Sequence, residues 1–174
     1  MSACLISDLH LQENRPELTK AFKKFLISHA ANVDSLYILG DLFEAWIGDD
    51  YENDFILDVK LELKKYSSLG KKIYLMHGNR DFLLGDKFCD DVGGLLLDDP
   101  TTAKINNFEV VLMHGDSLCT DDLDYQSFRT VVRDQKWKND FLEKEISERI
   151  LLAQNLRELS KAENKDKDYE IMDV

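Results

Sequence analysis

What most limits the fold of this chain is a series of short apolar runs, each stopping on a residue type that seeks cations or phosphate. Ala3 to Ser7 reads as a buried strand ending in Asp8-Leu9-His10. Ser35 to Leu39 closes on Gly40-Asp41, and Lys72 to Met76 on His77-Gly78-Asn79-Arg80-Asp81. Between these runs lie amphipathic stretches. Pro16 sits where a helix can begin and is followed by Leu18, Phe22, Phe25 and Leu26 at helical spacing. Phe55, Val59, Leu63 and Tyr66 outline a second helix, ended by Gly70. Strand-helix-strand-helix-strand order predicts a parallel sheet with crossover helices.

After a short helix near Phe88 the pattern changes. Leu95 to Leu97, Thr101 to Ile105 and Phe108 to Met113 read as three short strands, the last two joined by an Asn106-Asn107 turn. The last of them stops on His114-Gly115-Asp116. Beyond it the chain is helical, with a stripe of Leu142, Ile146, Ile150, Ala153 and Leu156 that Phe141, Leu151 and Leu152 widen.

The 174 residues are enough for one domain with a proper core. A net charge of −12 argues against a nucleic-acid partner, whose phosphates require basic neutralisation. It leaves a small phosphorylated substrate open, since bound cations invert the sign of an acidic site. Through Phe128 there are 12 basic and 23 acidic residues, and from Arg129 to Lys167 ten basic and eight acidic. That shift marks a compositional boundary, or equally a solvated helix face. No apolar run is long enough to span a bilayer. The first residues lack the basic region of a signal peptide. Three cysteines without close pairing point to a reducing cytoplasm.

Asp8, His10, Asp41, Asn79 and His114 fall at or just past the ends of four predicted strands, the edge where open α/β sheets bind ligands. Mixed carboxylate, imidazole and amide donors suit Mn, Fe or Zn better than Ca or Mg. Asp41 has two oxygens with which to bridge a pair of ions. Two such ions polarise a phosphoryl group and activate water near neutral pH. Taken singly, the pieces have ordinary readings: Gly-Asp is a turn, His-Gly-Asp likewise, and Asn79 a helix cap. Together, in this order and placement, they point to a dinuclear metal site.

Asp8-x-His10, Gly40-Asp41, Gly78-Asn79-Arg80-Asp81 and His114-Gly115-Asp116 resemble the successive blocks of the calcineurin-like metallophosphoesterases. Within them, the run from Leu36 to Asp50 (LYILGDLFEAWIGDD) resembles the branch that hydrolyses UDP-2,3-diacylglucosamine, as do His77 to Gly85, His114 to Asp122 and Ile171 to Val174. The resemblance implies an α/β (α+β) fold, a double β-sandwich flanked by helices with a helical lid insertion. It divides the chain into a core at 1–122, a lid at 123–167 whose apolar surface receives acyl chains, and the start of a return to the core at 168–174. It implies two divalent ions, typically manganese, one held by Asp8, His10 and Asp41, the other by Asp41, Asn79 and His114. Asn79 and Arg80 are implied as catalytic residues that also face the substrate phosphates. Asp122, Ser160, Asn164 and Lys167 match positions that contact the UDP-linked acylated glucosamine, and Tyr125 joins them. A monomer in the cytoplasm, peripheral to the inner membrane, is expected, and the cysteines are expected to be structural.

The family also carries a Gly-His-x-His block near its C-terminus, and here no histidine follows His114. The expectation is therefore a C-terminally incomplete version of a longer enzyme, whose own turnover is in doubt. The alternatives are a general metal-dependent phosphodiesterase or nucleotide pyrophosphatase, and a non-catalytic scaffold.

Overall fold

The computed structural model describes residues 2–165, with side chains through residue 158. The chain divides into two compact units, the first ending at His114 and the second beginning at Gly115.

In the first unit, strands β1 (Ala3–Ile6), β2 (Ser35–Leu39), β3 (Lys72–Met76) and β4 (Gly94–Leu97) form a parallel sheet in the order β1-β2-β3-β4. Helices α1 (Pro16–Ser28), α2 (Asp54–Ser68) and α3 (Asp86–Val92) make the three crossovers. Local chemistry sets their ends. Pro16 opens α1. Asn53 caps α2 by accepting the Ile56 N–H at 2.8 Å. Gly93, at φ +71°, closes α3 in the left-handed conformation. Successive right-handed crossovers in one direction place all three helices on one face of the sheet.

Strand β2 is central, and its alternation sorts the core. Leu36 and Ile38, both at 0% exposure, share one pleat with its helical neighbours. Tyr37 and Leu39 point the other way. There Tyr37, Met76 and Leu112 form a cluster with Tyr74, Ala103, Ile105 and Val110. The hairpin of β5 (Thr101–Ile105) and β6 (Phe108–Leu112) thus covers the second face, paired antiparallel within itself. Tyr37 and Tyr74 are register partners on β2 and β3, and their rings stack at 4.5 Å.

Of the three short strands predicted after Phe88, β4 joins the parallel sheet, and β5 and β6 form the predicted hairpin as a separate two-stranded sheet, so His114 reaches the cluster from outside the parallel sheet. One expectation needs correction: the apolar stripe from Leu142 to Leu156 is interrupted. The second unit has three helices, α4 (Leu123–Arg133), α5 (Gln135–Leu142) and α6 (Ile146–Lys165). Leu142 ends α5, and the break at residues 143–145 separates it from the rest. Asp122 and Asp134 cap α4 and α5 through their side chains, and α5 ends at the Glu143 C-cap, whose N–H donates back to Asn139 O.

Among the described residues no helix is long and apolar enough to cross a membrane. All three cysteines are free, and burial pushes the Cys89 thiol up to about 12, which leaves it inert near neutral pH.

Phe88 of α3 is fully buried and meets the segment that follows Asp41. Its ring stands edge-on to Phe43 at 5.7 Å and to Trp46 at 5.1 Å. Phe88→Ala should lower stability by about 3–5 kcal/mol in denaturant unfolding, and Phe88→Leu by clearly less.

Candidate metal centre

The polar residues past β1, β2, β3 and β6 converge on Asp41, which is 2% exposed. Asp41 Oδ2 lies 3.7 Å from His10 Nε2, and Oδ1 lies 3.9 Å from His114 Nε2. Asp8 Oδ1 is 3.9 Å from His10 Nε2. Asp8, His10 and Asp41 each present one donor atom within 4.8 Å of the others. Two ligands bonded to one ion at about 2.0–2.2 Å can be no more than about 4.4 Å apart, so the His10–Asp41 and His114–Asp41 separations suit shared cations. The two oxygens of Asp41 thus face two different imidazoles.

The backbone is bent to achieve this. Asp8 (φ +57°), His10 (φ +48°) and Asp41 (φ +54°) all adopt left-handed conformations, which cost L residues roughly 1–2 kcal/mol each. Cross-loop hydrogen bonds hold them there: Asp8 N–H to Gly40 O at 3.2 Å, His10 N–H to Asp41 O at 3.0 Å, and Leu11 N–H to Leu42 O at 2.9 Å. The third turn approaches just as closely. Arg80 N–H donates to Asp41 Oδ1 at 2.8 Å. A Cβ on Gly78 would stand 1.9 Å from Asp41 Oδ1 and 2.3 Å from Asp41 N. On Gly40 (φ +92°) it would stand 2.5 Å from His114 Nδ1. The glycines of the Gly-Asp and Gly-Asn-Arg blocks are therefore demanded by backbone approach.

Asp81 ties these turns together. It is 1% exposed and accepts four backbone N–H groups: Gly78 and Leu42 at 2.8 Å, Asp41 at 3.2 Å and Phe43 at 3.3 Å. The sequence pattern gives Asp81 no evident task, nor Glu44, whose Oε2 lies 2.9 Å from His10 Nδ1. Asp-after-Asn-Arg spacing and the acidic residue three after Asp41 were both visible in sequence, but their targets are created only by the tertiary approach of the loops.

His77 Nε2 is 2.6 Å from Leu84 O, and His29 Nδ1 is 2.7 Å from Ser28 Oγ. In the second unit the Asp122 carboxylate accepts the Tyr125 N–H at 3.1 Å as the cap of α4. The Tyr125 hydroxyl donates to Asp116 Oδ2 at 2.6 Å, and Arg129 Nε donates to the same oxygen at 2.9 Å. Burial alone would raise Asp116, but Arg129, Tyr125 and Arg133 more than offset it and hold the carboxyl below its ordinary range. Ser160 and Asn164 fall in the last part of α6, beyond the residues whose side chains are described, and Lys167 lies outside the described residues.

The calcineurin-like phosphoesterase family matches residues 1–172. This chain belongs to that family. The phosphoesterase is 49% identical over all 174 residues to the UDP-2,3-diacylglucosamine hydrolase of Marinobacter nauticus, covering 71% of that protein. It is 47% identical over its full length to the protein of that name from Chromohalobacter salexigens and 45% to that from Azotobacter vinelandii, covering 71% and 72% of them. Among solved structures, Pseudomonas putida nuclease MPE overlays 59% of this chain and 50% of its own at 21% identity with a TM-score of 0.44, a likeness too loose to bear on the site.

The family implies divalent metal ions, and the donor set of the phosphoesterase fits them. Burial is the main reason the Asp41 carboxyl is pushed up to about 6 from 3.8; the Arg80 N–H opposes this and the Asp81 charge adds to it. A carboxylate this deeply desolvated, between two imidazoles, calls for a cation.

Two outcomes follow from this geometry. Gly78→Ala should abolish divalent-metal uptake measured on the purified chain, while Gly70→Ala, whose Cβ meets nothing within 4 Å, should leave uptake intact and lose about 1 kcal/mol to its φ of +78°. In the metal-free protein the folded state retains the Asp41 proton at pH values where the unfolded chain has released it. Stability therefore falls as pH rises from about 4 through about 6 and then levels off. Thermal melts should show wild type losing ground to Asp41→Asn across that window.

Proposed function

We propose that this chain hydrolyses the pyrophosphate bond of UDP-2,3-diacylglucosamine, giving UMP and 2,3-diacylglucosamine 1-phosphate, a step in lipid A synthesis. The observation that carries the reading is the full-length 49% identity to a hydrolase of that name. The same chain gathers Asp8, His10, Asp41 and His114 at one point.

Asp8, His10 and Asp41 would hold one divalent ion, and Asp41, Asn79 and His114 the other, with manganese the metal. Bound there, the pair supplies Lewis acidity toward the phosphoryl oxygens and a nucleophile from water near neutral pH. The division of Asp41's oxygens, Oδ2 toward His10 and Oδ1 toward His114, supports its role as the shared ligand. Asn79 and Arg80 act on the substrate. Arg80 Nε is buried and has no hydrogen-bond partner among the described residues, a spare donor suited to phosphate oxygens. The chain's own residues thus orient the diphosphate and offset its charge, and no protein nucleophile is required.

Asp122, Tyr125, Ser160, Asn164 and Lys167 complete the proposed contacts to the UDP-sugar lipid. Because Asp122 caps α4 and Tyr125 donates to Asp116, these two must share or exchange partners when substrate binds. Residues 123–167 are the proposed lid for the acyl chains, and the lipid nature of the substrate supports a cytoplasmic monomer working at the inner membrane surface.

The test is manganese-dependent release of UMP from the acylated UDP-sugar, set against cleavage of a soluble aryl phosphodiester. The expected result is strong preference for the UDP-lipid, with Arg80→Ala lowering kcat/KM on it by roughly 10²–10³. Equal cleavage of the aryl diester by wild type and Arg80→Ala, without UMP release, would overturn the assignment in favour of a general phosphodiesterase. Metal content per chain separates both readings from a non-catalytic scaffold, which binds none.

A further inference from the structure

His10 and His114 turn the same ring edge to Asp41. Each presents Nε2, at 3.7 and 3.9 Å from the carboxylate. They anchor the opposite edge differently. His114 Nδ1 lies 2.9 Å from the Leu39 carbonyl oxygen. A carbonyl only accepts, so that contact requires the proton on Nδ1 and leaves the Nε2 lone pair toward the cluster.

His10 has no such carbonyl. Its Nδ1 is buried and lacks a well-directed hydrogen bond, but Glu44 Oε2 approaches it to 2.9 Å. The contact is an ion-pair approach, without a formed hydrogen bond at Nδ1. The Glu44 side chain is 14% exposed, so the carboxylate is largely withdrawn from competing water. Backbone contacts fix it in place. Leu11 and Phe43 form an isolated parallel bridge, Glu44 N–H donates to Leu11 O at 3.1 Å, and Trp46 N–H donates to Arg80 O at 3.3 Å. The segment bearing Glu44 is thus stitched both to the loop of His10 and to the loop of Arg80.

We infer that Glu44 is a positioning residue for the metal site: it holds the His10 proton on Nδ1 and so presents the Nε2 lone pair to the cation held with Asp8 and Asp41. A carboxylate behind a ligating imidazole fixes its tautomer and ring angle and raises its basicity, and losing such a partner costs about 10–100-fold in metal affinity. The inference rests on the proposal that this cluster binds divalent cations, but its first consequence, the tautomer, does not require a cation to be bound.

The test uses the full chain, metal-free and nitrogen-15 labelled, at a pH above the imidazole range. Long-range proton–nitrogen spectra should show His10 protonated on Nδ1 in wild type, a mixture of tautomers in Glu44→Ala, and recovery toward wild type in Glu44→Gln, whose amide oxygen still accepts. His114 should be unchanged in all three. Manganese titrations followed by electron paramagnetic resonance should then show affinity lowered about 10–100-fold in Glu44→Ala, with a smaller loss in Glu44→Gln. An Nε2-protonated His10 in wild type, or unaltered tautomer and manganese affinity in Glu44→Ala, overturns the inference. If Glu44→Ala does not fold, Glu44→Leu, similar in volume and without an acceptor, takes its place: mixed His10 tautomers with weaker manganese binding support the inference, and wild-type values of both overturn it. A wild-type chain that takes up no manganese sinks the metal reading itself, and the ring spectra still judge Glu44.

Discussion

The candidate site exists because one buried carboxylate, Asp81, accepts backbone N–H groups from two different turns. Gly78 belongs to the turn after β3, and Asp41, Leu42 and Phe43 to the turn after β2. Each of those donors would otherwise be a desolvated N–H without a partner, at a cost of about 1–3 kcal/mol. Asp81 thereby draws the two turns so close that only a glycine fits at position 78. The approach of the Arg80 N–H to Asp41 follows from that closeness. Asp49 plays a similar part a few residues on, accepting from Trp46 Nε1, Gly85 N–H and Phe88 N–H, and so binds the segment after Asp41 to the start of α3.

Metal affinity and fold stability pull against each other here. Three ligand candidates sit in left-handed backbone, and Asp41 is held where its charged form is disfavoured. These are costs to the empty protein that a bound cation repays, because metal binding to the folded chain adds directly to its stability. The hydrophobic wall of Phe43, Trp46 and Phe88 supplies the rigidity against which the strain is held.

Much of this was legible in the sequence. Strands β2, β3 and β5 have the bounds that their apolar runs suggested, because each run is closed by Gly, Asn or a chain-turning polar residue. Asp8, His10, Asp41 and His114 were picked out by their position just past apolar runs, and they do converge. What the sequence could not express was distance across loops. Nothing in the pattern says that Asp81 reaches back to residues 41–43, or that Glu44 stands behind His10. Periodicity also carried a helical stripe straight through residues 143–145, since a cap interrupts hydrogen bonding without interrupting apolar spacing. The hairpin was anticipated from Asn106-Asn107, whereas its docking on the sheet face opposite the helices depends on how Tyr37, Met76 and Leu112 pack.

That docking has a mechanical side. His114 is the residue two beyond the end of β6, and its Nδ1 rests on the carbonyl of Leu39, the last residue of β2. The imidazole is thus a strut between two sheets that an apolar layer also joins. Any slip of the hairpin over the Tyr37–Tyr74 pair would be delivered to the ring as a change in its standoff from Asp41. Packing in a region outside the metal cluster thereby becomes a gauge for the width of the space a cation must fill.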